Sequence, residues 1–365
     1  MEEKAATGKF KGDRVIWTVF FFLCIISIIE VFSASSNLSF KSGNYLGPVL
    51  KHVMLLVVGV MAMIATMNVK CKYFKMVTPG ALIISFIGLI AVLCFGESTN
   101  GSQRWLSVMG IQFQPSELAK GAIILATAQI LSAMQTPTGA DKRAFKYICI
   151  VCAFIVPLIM VENLSTAVLL CTVVFLLMFI GKVPKAQLGR LLGIVMLCLI
   201  FIVSMVMILG HDKEKENADG QKMAMTEQVE KKDETVVEKV FHRFDTWKAR
   251  IDKFLDNKEI APEEVDLDKD GQIAHANIAI ASSNVVGKGP GNSVERDFLS
   301  QAFSDFIYAI IIEEMGIAGA AFVCLLYIIL LFRTATIANR CVNTFPALLI
   351  MGFALLLVIQ AMFNM

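Results

Sequence analysis

The sequence predicts an all-α polytopic membrane protein, a helical bundle of about nine spans, and three observations carry that expectation. Hydrophobic residues make up 56% of the chain and the mean hydropathy is +0.67, beyond the range of ordinary soluble domains. Runs approaching the ~20 apolar residues of a helical span recur near 15–35, 46–68, 78–96, 115–134, 145–161, 164–181, 189–210, 304–332 and 343–365. Continuous runs of this length call for helices, which satisfy their own backbone in hydrocarbon. With the N-terminus inside, fifteen Lys and Arg side chains fall in inner segments, from Lys4 to Arg340, against only Lys41, Lys51 and Arg104 in short outer loops. That bias sets the orientation by the positive-inside rule.

Taken in order, the first run is flanked by Lys4, Lys9, Lys11 and Arg14 and lacks a small-residue cleavage site at the position a signal peptidase needs, so it is read as a retained span. Spans one to seven occupy residues 1–210. The nine cysteines lie in spans or inner loops, and Cys149 and Cys152 share one apolar helix, so packing explains them better than metal or redox chemistry. Residues 211–303 then form one large outer loop between spans seven and eight, and spans eight and nine fill 304–365. Within the loop, 212–234 reads as solvated. Val237, Val240, Phe241, Phe244, Trp247, Ile251 and Phe254 recur at helical spacing among basic residues, which predicts an amphipathic helix over 236–255 lying on the membrane or covering the bundle. Asp266-Leu267-Asp268-Lys269-Asp270-Gly271 imitates the start of a calcium loop, but Asn277 stands where the bidentate Glu belongs, so the match is read as accidental.

The residues with chemistry gather at the outer side. Gln114-Pro115-Ser116-Glu117 suits a helix start. Glu117 and Lys120, three apart, can pair on one face. Arg104 lies just outside, and Asp305 opens the eighth span at the same level. Glu313 and Glu314 lie about 12–14 Å deeper, at 1.5 Å per residue, and at least one of them is expected in a structural pair. Charged groups inside a span are costly and mark either such pairs or substrate paths. The glycine-rich Val285–Ser293 stretch precedes Asp305 but lacks the GK[ST] ending of a nucleotide loop.

These pieces resemble the SEDS family, the shape, elongation, division and sporulation proteins typified by RodA, FtsW and SpoVE, and the pattern leans to FtsW. The resemblance covers nearly the whole chain. It rests on Phe32-Ser33-Ala34-Ser35, Arg104-Trp105, Gln114 to Lys120, Thr166-Ala167, Arg250-Ile251, Gln272 with Ile278-Ala279-Ile280, Gly287 to Gly291, Asp305-Phe306-Ile307 and Glu313-Glu314-Met315-Gly316. Phe303-Ser304 replaces the family's His-Thr before the Asp. Glu162-Asn163-Leu164-Ser165-Thr166 replaces Pro-Asp-Leu-Gly-Thr. The chain ends at Met365, where the family continues into a tenth span, so nine of ten spans are expected here.

The resemblance implies a peptidoglycan glycosyltransferase that polymerises lipid II outside the cytoplasmic membrane, in division or elongation, with Asp305 as its essential acid and general base. Arg104, Lys120 and Lys288 become candidates for the leaving diphosphate, Glu117 would orient Lys120, and Gln114 and Gln272 join the substrate-binding set. No cofactor is certain, and a divalent cation, Mg or Mn, is left open. The expected partners are lipid II, a class B penicillin-binding transpeptidase, divisome or elongasome proteins and membrane lipids, with no nucleic acid. Two rivals stay open. A lipid II flippase would show an internal repeat and interrupted spans, and no repeat is visible. A scaffold that only recruits the transpeptidase would leave Asp305 dispensable.

Overall fold

The computed structural model describes residues 12–42, 47–99, 102–108, 111–137, 139–209, 267–299 and 305–365. The expected solvated stretch 212–234 and amphipathic helix 236–255 lie outside them. All nine apolar runs fall on helices: α1 (Arg14–Ser42), α2 (Gly47–Met67), α3 (Cys71–Phe95), α4 (Pro115–Ala133), α5 (Lys142–Glu162), α6 (Leu164–Ile180), α7 (Lys185–Leu209), α9 (Ile307–Arg340) and α10 (Thr344–Asn364). Among the described residues, six helices (α1, α2, α3, α5, α9 and α10) are long and apolar enough to cross a membrane, and α6 is a shorter apolar one. The protein is thus a multi-pass helical membrane protein. Residues Met1–Lys185 with Asp266–Met365 form one compact unit, and Ala186–Val265, with most of α7, falls in a second.

In the larger unit α4 is the central helix, packed by α3, α5, α6 and α10. Its inner position explains its mixed composition. Ala119, Ala122, Ala126 and Ala128 let neighbours approach, as small residues do between membrane helices, and Ser116, Thr127 and Lys120 are buried without meeting lipid. Gly352 of α10 extends the same contact, since a Cβ there would lie 2.6 Å from Ile124. At the opposite extreme, α2 buries no residue and shows Leu50, Met54, Leu55, Val58 and Met61 on its surface.

Three features depart from the expected pattern of helices and loops. The segment before α4 folds into a small antiparallel sheet, β1 (Glu97–Thr99), β2 (Ser102–Val108) and β3 (Ile111–Phe113), in that order. Part of the segment expected as an outer loop is helical, α8 (Leu267–Ser282), so the calcium-like stretch continues into a helix rather than an ion-binding loop. Third, α9 is broken. Gly316 has φ 71° and ψ −176°, which splits the helix into a nine-residue piece, 307–315, and a long one from Ile317. Nine residues rise about 14 Å, too little to cross a bilayer.

At the start of α1, Asp13 ties that helix to the far end of α9. Its carboxylate accepts from the backbone amides of Val15 and Ile16 at 3.0 and 3.3 Å, and from Arg333 Nε and Nη2 at 3.0 and 2.7 Å. The Arg333 hydrogen bonds hold the Asp13 carboxyl below the usual carboxylate range. A depressed acid stabilises the fold fully above its unfolded value, near 3.9, and loses that contribution as pH falls through the folded value. Asp13→Asn should therefore flatten the acid limb of a melting-temperature profile below about pH 4. Above pH 6 it should cost no more than about 1 kcal/mol, because water still reaches both partners.

Candidate functional site

Asp305 sits in the turn immediately before the short half of α9, with its side chain exposed. The next residue explains how it is held. Phe306 packs into two small clusters at once, Ala34 with Leu299 and Ile310 on one side, and Ala276 with Ala279 and Ala309 on the other. An aromatic ring wedged between α1 and α8 fixes the backbone, which leaves the adjoining carboxylate on the water side.

Below Asp305, the glycine-rich loop fills the break in α9. At the break the helix cannot pair its own backbone, and the loop supplies the partners. Lys288 N and Gly289 N donate to the carbonyls of Glu313 and Glu314 at 2.9 and 2.8 Å, and Ile317 N and Ala318 N donate to those of Asn284 and Val285 at 3.3 and 3.2 Å. Gly316 and Gly287, both at positive φ, cross here backbone to backbone. The two glutamates then clasp the loop with their side chains. Glu313 meets Lys288 Nζ at 2.6 Å and accepts from Ser293 Oγ at 2.5 Å and Val294 N at 3.1 Å. Glu314 accepts from Ser33 Oγ and from Gly291 N at 2.9 Å, and Arg296 Nη1 stands 3.9 Å away. Arg296 also donates to Ser33 Oγ at 3.0 Å and to Gly291 O at 2.8 Å, so Ser33 joins α1 to the clasp. Both carboxylates are completely buried and both are partnered, as buried charges must be. The expected structural pair thus involves both glutamates.

This arrangement revises one candidate role. The ammonium of Lys288, a proposed diphosphate partner, is closed on Glu313 and on Ser282 Oγ at 3.1 Å. Its charge is neutralised within the protein, so it positions the loop. Lys120 is also engaged. It is 2% exposed, 2.8 Å from Glu117 Oε1, and donates to Gln360 Oε1 of α10 at 2.9 Å. The expected Glu117–Lys120 pair is present, and Gln360 is a partner that spacing within one helix has no means of revealing. Lys120→Met should strand the Gln360 carbonyl while the half-exposed Glu117 rehydrates, at a cost of about 1–3 kcal/mol. Thermal unfolding in detergent, with Gln360→Leu completing a double-mutant cycle, checks this.

The remaining candidates are placed as follows. Gln114 precedes α4, and its amide reaches Ser116 Oγ at 3.0 Å, so it braces the helix start. Gln272 lies on the exposed side of α8. Arg104 lies in β2 at a bulge: Trp105 pairs with Glu97 and Gln103 with Ser98, which leaves Arg104 as the extra residue. Asn163 caps α6 by accepting from Thr166 N at 3.3 Å, which gives the altered Glu162–Thr166 motif a local purpose. Among the described residues no three His, Cys, Asp or Glu side chains converge to hold a metal ion. Several ionisable groups lay outside the sequence reading, Asp13 and Arg296 among them. Glu30 is buried in α1, and His275 meets Glu295 at 2.6 Å while stacking on Phe298. An acid inside an apolar run was the available signal for Glu30.

Among known proteins, the peptidoglycan glycosyltransferase MrdB of Escherichia coli K12 is 26% identical over 367 residues, covering 99% of this chain and 85% of MrdB. The probable peptidoglycan glycosyltransferase FtsW of Aromatoleum aromaticum is 25% identical over 356 residues, covering 94% of this chain and 76% of its own. These identities do not separate the two branches. The crystal structure of the rod shape-determining protein RodA of Thermus thermophilus superposes with a TM-score of 0.58 at 17% identity, over 98% of this chain and 85% of that one. A chain of a peptidoglycan synthase complex gives 0.61 at 19% identity, over 95% and 85%. Residues 13–365 match the cell cycle protein profile FTSW_RODA_SPOVE, and the chain belongs to that family.

Proposed function

We propose that this protein is a peptidoglycan glycosyltransferase that polymerises lipid II at the outer face of the cytoplasmic membrane, with its N-terminus inside. The observation that carries the reading is an exposed carboxylate, Asp305, rigidly presented at the mouth of a membrane helix, in a chain whose family relatives bear that activity. A hydroxyl of the acceptor sugar attacks the anomeric carbon of the donor. Its proton passes to Asp305, the new C–O bond forms, and the bond to the polyprenyl diphosphate breaks with the electrons leaving on the phosphate oxygen. A base on the nucleophile and positive charge at the leaving group are what such a step requires. Arg104 is the cation in this reading. Lys120 and Lys288 shape the site from behind, with Gln114, Glu117 and Gln272 at its rim. The partner is a class B penicillin-binding transpeptidase, whose crosslinking reaction consumes the strand. Residues 211–303 are the outer loop between spans seven and eight in this reading.

The interrupted α9 is the one feature favouring a flippase, since broken helices offer free backbone groups to substrates. Here those groups are taken by residues 284–289, which argues for a closed scaffold instead. The deciding experiment supplies purified lipid II to the reconstituted protein with its transpeptidase, and reads glycan strands by gel. Strands support the assignment. Lipid II translocation without strands supports the flippase.

A further inference from the structure

A cavity of about 550 Å³ lies between α1, α2 and α9, apart from the α4 lysine and the loop clasp. Its wall is mostly apolar, with Leu23, Leu55 and Val323, but five polar side chains line it: Ser27, Glu30, Lys51, His52 and Tyr327. Ser27 Oγ and His52 Nε2 are 2.9 Å apart, which fixes the imidazole against α1. Glu30 is 1% exposed, and neither of its carboxylate oxygens has a hydrogen-bond partner among the described residues. Buried carboxylates are paired or neutralised, so this one awaits a donor.

We propose that the cavity binds a phospholipid bearing a primary ammonium, of the phosphatidylethanolamine class. The ammonium would donate to Glu30, the phosphate would face Lys51 and His52, and the acyl chains would run along Leu23 and Leu55 into the bilayer. The charge pattern selects this occupant. A polyprenyl diphosphate or phosphatidylglycerol offers anions to Lys51 but no cation to Glu30. Phosphatidylcholine has a cation without an N–H to satisfy the carboxylate. The volume suits a headgroup with the first part of its chains, within the usual range for small-molecule sites. The site does not depend on the glycosyltransferase reading.

The test is native mass spectrometry of the intact protein taken from nanodiscs holding equal phosphatidylethanolamine, phosphatidylcholine and phosphatidylglycerol. The wild type should retain phosphatidylethanolamine about tenfold over the others, the size expected of a charge-assisted hydrogen bond. Glu30→Gln should erase that preference. Leu55→Trp, on the exposed wall of the cavity where folding is unaffected, should lower retention of the lipid, and it decides the matter should Glu30→Gln not accumulate. Equal retention of phosphatidylcholine, selectivity that survives Glu30→Gln, retention unchanged by Leu55→Trp, or a polyprenyl phosphate held in place of the phospholipid would overturn the proposal.

Discussion

Asp305→Asn should abolish glycan polymerisation while the protein still folds and still binds its transpeptidase. The amide keeps the shape of the carboxyl but has no basic oxygen, so the acceptor hydroxyl loses its proton acceptor. Removal of a positioned base lowers turnover by about 10²–10⁴-fold. The fold should be indifferent, because the side chain is exposed and such surface changes stay within about 0.5 kcal/mol. Polymer yield at matched protein amounts, beside a transpeptidase pull-down, gives the answer. A normal yield would sink the role assigned to Asp305 and favour a scaffold.

Gly316→Ala should have the largest structural effect in the molecule. Its φ of 71° with ψ near 180° belongs to a region that is essentially closed to other residues, at about 1–3 kcal/mol. A Cβ there would also meet Asn284 O at 2.6 Å, and Val285 O closer still, so the loop would have to withdraw. Withdrawal frees four backbone hydrogen bonds and strips two buried glutamates of their donors, at about 1–3 kcal/mol for each group left unsatisfied. Together these approach the whole stability of a typical domain, about 5–15 kcal/mol. The expected result is aggregated protein by size-exclusion chromatography. Gly80→Ala in α3 is the control: its Cβ meets nothing within 4 Å, and a helical Gly→Ala change is neutral or mildly stabilising. A monodisperse Gly316→Ala protein melting with the wild type would mean that the loop clasp contributes little.

What the sequence made legible follows the range of the interaction. The nine helices were visible because apolar length is a local property, and Glu117 with Lys120 because three residues on one helix face each other. That Glu313 or Glu314 needs a partner was visible too, since a charge inside a span is costly to bury. Their real partners were not, because Ser33 lies on α1 and Gly291, Ser293 and Val294 on a loop about twenty residues upstream. Lys288 looked free for the same reason. The break at Gly316 was hidden because Glu-Glu-Met-Gly-Ile-Ala reads as continuous helix, and only a loop bringing four replacement hydrogen bonds makes interruption tolerable. The strands at 97–113 are short, and their pairing, not their composition, defines them.

The clasp between the loop and broken α9 has a consequence for how the chain is made. Residues 284–296 are synthesised before 307–340, so the plug has left the ribosome before the helix it completes. Until the two meet, the half-helix 307–315 carries two bare carboxylates and an open backbone end, a poor substrate for release into lipid. The insertion machinery should therefore hold this span until the glycine-rich loop folds back onto it. Biogenesis then acquires a checkpoint: a chain whose loop is misplaced stays at the translocon, exposed to proteolysis, and does not enter the bilayer as an incomplete enzyme.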